Sequence, residues 1–378
     1  MSCSQTIDDP EKLHHDALVA DMHNDTVLRI VEEDFDISER DTSGHVDLLR
    51  LKEGGVDLQV FACYMDPDTA ASERKKTIDI MIDSLETQIG RNRDKIAICR
   101  TAAEAENIIG SSRIAAFLAI ENGLAIENNL ENLDHFYNRG VRYMTLTHVK
   151  SSDWCISSAD TVPAFNGLTD FGREVVKRMN ELGMIIDISH ASPAAVEEIL
   201  KASRDPVIAS HSCVYALCDH DRNLTDEQIK AIAANGGVIG INFYEGYLSQ
   251  EFKDLDEAYE NEHKAEIDSV EKLYKGTDNW TEEKRKLYAP LTAQVIKLDI
   301  NTATVVDHID HIVKLVGPDH VGLGSDYDGV HRIPEGLDDC SMLPNITREL
   351  TSRGYSAQDI RKILGENFMR VFRQVCDK

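Results

Sequence analysis

Ile114-Ala115-Ala116-Phe117-Leu118-Ala119-Ile120 is an unbroken apolar run that ends in Glu121. A strand wet on one face would alternate apolar and polar residues. Continuous apolarity predicts a parallel strand covered on both faces, which is the mark of an α/β fold. A carboxylate delivered at the tip of such a strand is costly to bury alone, so the question becomes what the neighbouring strands bring beside it.

Working outward, the same unit recurs. Upstream, residues 17–20 read as a strand leading into Asp21-Met22-His23-Asn24-Asp25, and residues 45–52 as a short helix closed by Gly54-Gly55. Residues 56–65 form a second buried strand. Ile78, Met81, Ile82, Leu85 and Ile89 then recur at helical spacing, and Thr101-Ala-Ala-Glu104 is a capping box opening a helix that ends near Gly110. Downstream, Leu130, Leu133 and Phe136 mark a helix stopped by Gly140, and the strand 141–147 ends in His148. A long loop with Trp154 and Pro163 follows, of a length that suits function more than mere connection.

Phe171, Val175, Val176, Met179 and Leu182 stripe a helix closed by Gly183, and the strand 184–189 delivers His190. Ser192-Pro193 supplies a cap with proline in the first turn, and the short strand 206–210 delivers His211. A capping box at Thr225-Asp-Glu-Gln228, a strand at 237–243, a helix at 301–316 and a strand at 320–325 delivering Asp326 and Asp328 complete the repeat. Helices near 346–351 and 360–375 end the chain. Residues 251–288 break the rhythm: charged and weakly periodic, they read as a surface insertion, a helical flap. Eight strands alternating with helices predict a (β/α)8 TIM-type barrel, a single domain over residues 1–378.

Composition bounds the partners. Against 40 Lys and Arg stand 67 Asp and Glu, a formal charge of −27, which repels nucleic acid and anionic membrane surfaces. An anionic substrate therefore needs a locally positive site. The first residues lack a basic and apolar leader, and no run is long enough to span a bilayer, so the expectation is a cytoplasmic protein. Eight cysteines lie far apart without a Cys-x-x-Cys pair and read as reduced core thiols.

Barrels place their chemistry at the carboxyl ends of strands, and His23, Asp25, Glu121, His148, His190, His211 and Asp326 all fall there. His23 and Asp25, one residue apart at a strand tip, point to the same side. Imidazole nitrogen with carboxylate oxygen and no thiolate suits Zn²⁺. Three histidines and two carboxylates are too many for one tetrahedral ion that must keep an open position, whereas two ions sharing a bridging carboxylate would use all five. Two zincs with Asp25, Glu121 and a bridging hydroxide leave a positive centre able to polarise a carbonyl, and the chemistry implied is hydrolysis.

The chain resembles the renal or membrane dipeptidases, zinc peptidases with an amidohydrolase-like barrel. The resemblance is carried by His23-Asn-Asp25, Ile120-Glu-Asn-Gly123, Leu146-Thr-His148, Ile186-Asp-Ile-Ser-His190, Ser210-His211-Ser, Arg222-Asn223, Gly324-Ser-Asp326-Tyr-Asp328-Gly and Gly365-Glu-Asn-Phe-Met-Arg-Val-Phe. It implies that His23 and Asp25 hold one zinc, that His190 and His211 hold the other, and that Glu121 bridges them. It further implies that His148 contacts the substrate and steadies the oxyanion, and that Asp326 orients the bridging water and passes its proton to the leaving amine. Arg222 would pair with the substrate carboxylate, and Tyr247 is a weaker candidate for that subsite. The substrates implied are Xaa-Xaa dipeptides, including those with a carboxyl-terminal D-residue.

Plainer readings stand beside these. Arg222 lies among Asp219, Asp221 and Asp226 and could be a surface ion pair; Asp328 could be a structural carboxylate; His308 and His311 share a helix with Asp307 and Asp310 and read as solvated; His14-His15 earns no role. Other amidohydrolase-type reactions, deacetylation or lactone opening, and a catalytically silent barrel remain rivals. No pattern sets the number of subunits, and a homodimer stays open.

Overall fold

The computed structural model describes residues 7–274 and 280–378. Among them nine strands occur in chain order: β1 (Ala20–Asp21), β2 (Leu58–Tyr64), β3 (Ile96–Cys99), β4 (Ile114–Glu121), β5 (Val141–Thr145), β6 (Ile185–Asp187), β7 (Ile208–Ala209), β8 (Val238–Ile241) and β9 (Val321–Leu323). All pairings between them are parallel. The order β2-β1-β9-β8-β7-β6-β5-β4 closes on itself through a β2–β4 pairing, so the expected ring of eight forms.

β3 is the strand the sequence did not signal. It pairs with the amino half of β4, from Ile96 opposite Ile114 to Cys99 opposite Phe117, and β5 takes over from Leu118 across an irregularity in register. Four residues, two of them only half-buried, are too few to print a period.

The barrel follows from residue parity. Leu58, Val60 and Ala62 of β2 and Ala115, Phe117 and Ala119 of β4 belong to one cluster, the packed interior, together with Tyr143, Ile185, Ile208 and Val238. The alternate residues Phe61, Cys63, Ala116, Leu118 and Ile120 join the larger cluster beneath the surrounding helices. Both faces are thus apolar, as the unbroken run requires. The amino-end mouth is closed by the last helix, Asn367–Cys376, whose Phe368 and Phe372 rings lie 5.5 and 4.8 Å from Phe117. Each fully buried Phe contributes about 1.5–3 kcal/mol relative to exposure, so this plug leaves only the carboxyl-end mouth open to chemistry.

The surrounding helices use the caps their sequence offers. Thr225 and Gln228 form a reciprocal capping box. At Thr101 only half of the box forms: Thr101 caps Glu104 N–H, but the Glu104 carboxylate accepts from Arg100 N–H, one residue earlier. Residues 251–288 resolve into two long helices, Gln250–Tyr274 and Trp280–Val295, with residues 275–279 outside the described residues. The pair is not merely a charged surface feature, because Phe252, Tyr259, Leu291, Val295 and Ile300 bury a small apolar cluster of their own. Among the described residues no helix is long and apolar enough to cross a membrane. The seven described cysteines are all buried and unpaired, and Cys3 lies outside the described residues.

Candidate metal centre

Parity also aims Glu121. It continues the inward set Ala115, Phe117 and Ala119, so its side chain leaves the top of β4 toward the barrel axis. His23 and Asp25 follow β1, His148 follows β5, His190 follows β6, His211 follows β7 and Asp326 follows β9. Closure of the ring brings all of them to one mouth.

Glu121 lies between two groups. Its Oε1 is 3.1 Å from His190 Nε2 and 3.2 Å from His211 Nε2, while its Oε2 is 3.7 Å from His23 Nε2. Asp25 Oδ2 is 3.7 Å and Asp326 Oδ1 3.9 Å from that same His23 nitrogen. His148 Nε2 stands 3.8 Å from Glu121 Oε1, its ring 4.1 Å from that of His190. Several non-glycine residues at this mouth hold left-handed backbone: His190 at φ 66°, Asp326 at 61° and Asp328 at 67°. Such conformations cost on the order of 1–3 kcal/mol each and persist where function or dense packing holds them.

The titratable groups at this mouth act strongly on one another. Burial opposes ionisation of Glu121, but the surrounding imidazoles outweigh it and hold the carboxyl well below its ordinary range. Burial pushes Asp25 up, and the neighbouring Glu121 and Asp326 add to it against the pull of His23. Burial lowers His190, His211 and His148, with Arg222 adding to the effect on all three, so their nitrogens keep lone pairs. For His23 burial acts the same way but is outweighed by Tyr143 and Glu121, and this one imidazole is raised. Buried His23 Nε2 and Asp25 Oδ1 have no hydrogen-bond partner. Nitrogen and oxygen atoms of this kind, buried without a partner beside Glu121 and Asp326, could be satisfied by a divalent ion.

Arg222 is buried and does not pair with Asp219, Asp221 or Asp226. Its Nη1 donates to Ser212 Oγ and its Nη2 to His211 O, both at 2.9 Å, while Nε is left without a partner, and the guanidinium carbon is 5.8 Å from the centre of the Tyr247 ring. Burial pushes the Tyr247 phenol up to about 12. Asp328 accepts from Thr26 Oγ1 at 2.7 Å and from His45 N–H at 2.6 Å, a structural carboxylate tying two loops.

The solvated reading of His308 fails: the ring is buried, its Nδ1 accepting from Val214 N–H and its Nε2 donating to Leu248 O, both at 3.0 Å. The cause is rotation of its helix, which turns this position onto the same inward stripe as Val305 and Ile309. His311 pairs with Asp226 at 2.7 Å. His14 has a structural role after all, buried between Thr347 Oγ1 and Gly54 O.

Sequence reasoning passed over the residues behind the cage. Asn242 Nδ2 donates to Asp326 Oδ2 at 2.8 Å. Tyr143 Oη lies 2.8 Å from His23 Nδ1, and Asp187 and Ser210 stand behind His211. Their signal was present: a polar side chain at an inward position of an otherwise apolar strand needs a partner.

A closed parallel barrel with nitrogen and oxygen side chains gathered at its carboxyl mouth puts the chain in the class of (β/α)8 barrels with a mouth that could hold a metal ion. More narrowly, it belongs to the membrane dipeptidase family, peptidase family M19, which it matches over residues 7–378. It is 30% identical to Dipeptidase 3 of Rattus norvegicus over 373 residues, 96% of this chain and 66% of that protein, so it spans about two thirds of the length of that curated relative. The crystal structure of the probable dipeptidase PvdM from Pseudomonas aeruginosa is 27% identical, with a TM-score of 0.84 over 97% of this chain and 98% of that one. A metallo peptidase from Rhodobacter sphaeroides, liganded with a phosphinate mimic of the dipeptide L-Ala-D-Ala, shares the fold at 24% identity, with a TM-score of 0.78 over 95% and 99% of the two chains.

Proposed function

We propose that this chain is a metal-dependent dipeptidase that hydrolyses the amide bond of free dipeptides, including those with a carboxyl-terminal D-residue, and that its metal is zinc, two ions per chain. The observation that carries the reading is the position of Glu121, one oxygen toward His190 and His211 and the other toward His23. In this reading His23 and Asp25 would hold one ion and His190 and His211 the other, with Glu121 as a ligand that both would share. When bound, the ions supply Lewis-acid polarisation of the scissile carbonyl and a water of lowered pKa.

The chain's own residues do the rest. Asp326, steadied at Oδ2 by Asn242, takes the proton of the attacking water at Oδ1 and returns it to the leaving amine. His148, at the rim of the cage beside Glu121, donates to the oxygen that gains charge in the transition state. Arg222 offers its free Nε–H and fixed charge to the substrate carboxylate, with Tyr247 alongside. Pairing of a fixed guanidinium with the substrate carboxylate favours free dipeptides, whose carboxylate lies one residue from the scissile amide, over longer peptides.

The test is hydrolysis by purified, zinc-loaded protein of L-Xaa-L-Xaa and L-Xaa-D-Xaa dipeptides beside N-acetylated and carboxyl-amidated analogues. Turnover confined to dipeptides with both termini free supports the reading. Turnover of N-acetyl compounds or lactones instead would move the chain to a deacetylase or lactonase, and absence of bound metal would make it a silent barrel.

A further inference from the structure

Asp187, fully buried at the end of β6, accepts four hydrogen bonds: Ser189 N–H at 3.0 Å and Ser210 N–H at 2.8 Å on Oδ1, and the Thr145 and Ser210 hydroxyls, each at 2.6 Å, on Oδ2. A serine hydroxyl has one proton to give. Since Ser210 gives it to Asp187, at the 2.7 Å contact with His211 Nδ1 the hydroxyl oxygen accepts and the ring donates. His211 is thereby held with its proton on Nδ1, and its Nε2 lone pair faces Glu121 and His190.

The other side of the cage is built the same way with a different residue. Tyr143 Oη donates to Met22 O at 3.0 Å, so at its 2.8 Å contact with His23 Nδ1 it accepts. Ser210 Oγ is also near His23 Nδ1, but at 3.4 Å it is the weaker partner.

We propose that Ser210, anchored by Asp187, is a positioning residue that fixes the tautomer and aim of His211 and so sets the affinity of the cation held by His190 and His211, while Tyr143 does the same for His23 and the other cation. The proposal rests on the reading of the cage as a two-metal centre. Outer partners of metal-bound histidines typically change metal affinity by roughly 10–100-fold when removed, and each hydroxyl makes its short contact with one histidine, Ser210 with His211 at 2.7 Å and Tyr143 with His23 at 2.8 Å.

The experiment titrates Zn²⁺ alone into the metal-stripped full chain against a chromogenic chelator, for the parent, Ser210→Ala, Tyr143→Phe and the double variant. The expected result is roughly 10–100-fold weaker binding at one of two sites in each single variant and at both in the double variant. Parent affinity at both sites in Ser210→Ala, or equal weakening at both, overturns the proposal; failure of the parent to bind zinc overturns the metal-centre reading instead. A measurement that needs no variant stands beside it: long-range ¹H–¹⁵N correlation on histidine-labelled, metal-stripped parent protein should find His211 protonated at Nδ1, and protonation at Nε2 would overturn the proposal.

Discussion

Replacing Asp326 by asparagine separates the proton-handling role from metal binding. Asp326 holds φ 61°, a conformation in which Asn is as well accommodated as Asp. Its Oδ2 accepts from Asn242 Nδ2 at 2.8 Å. In Asp326→Asn the side-chain carbonyl keeps that bond, which turns the new amide NH2 to the Oδ1 position, 3.9 Å from His23 Nε2. Volume and backbone are conserved, but a proton acceptor has become a donor. General acid–base catalysis contributes about 10²–10⁴-fold, equivalent to about 2.7–5.4 kcal/mol at 1.36 kcal/mol per decade. Initial rates of L-Ala-L-Ala hydrolysis, with zinc content per chain and thermal unfolding measured in parallel, should give a kcat lower by that factor, unchanged zinc and an unchanged Tm. A kcat within about threefold of the parent at full zinc occupancy would refute the assignment.

Arg222→Ala should raise KM for dipeptides by about 10–100-fold, the loss of one charge-assisted bond, while leaving the slow turnover of carboxyl-amidated dipeptides unchanged; equal effects on both substrates would remove the guanidinium from carboxylate recognition. Gly329→Ala would put a Cβ 2.0 Å from Asp25 Oδ2 and 2.8 Å from Asp326 Oδ1, so zinc titration should find affinity reduced about tenfold or more, and parent affinity would mean that the loop yields. His308, lowered from 6.5 to about 4 first of all by burial, binds its proton in the unfolded chain before the folded one. Its stabilising contribution is therefore complete above about pH 6.5 and lost as pH falls toward about 4. Urea unfolding should find the parent losing about 2 kcal/mol more than His308→Gln between about pH 7.5 and pH 5; parallel pH profiles would refute it.

Long apolar runs such as 114–120 declared a doubly covered strand because burial on both faces leaves no other composition stable, and capping residues such as Ser192 and Thr225 declared helix starts because unpaired N–H groups must be met locally. β3 escaped because its stability comes from pairing with the overhanging half of β4, a long-range fact. His308 was misread because its neighbours Asp307 and Asp310 in sequence are not its neighbours in space, where it bridges Val214 and Leu248.

By itself the sequence determined which side chains stand at the ends of which strands, since strand and helix periods are local and each strand delivers its last residue to one rim. Only the tertiary structure decided that Glu121 faces His23 with one oxygen and His190 and His211 with the other, that Arg222 turns inward, and that Ser210 and Tyr143 stand behind the histidines. Those distances depend on closure of the ring through the pairing of β2 with β4, residues some sixty positions apart, such as Leu58 opposite Ala115. No local period encodes a contact of that kind.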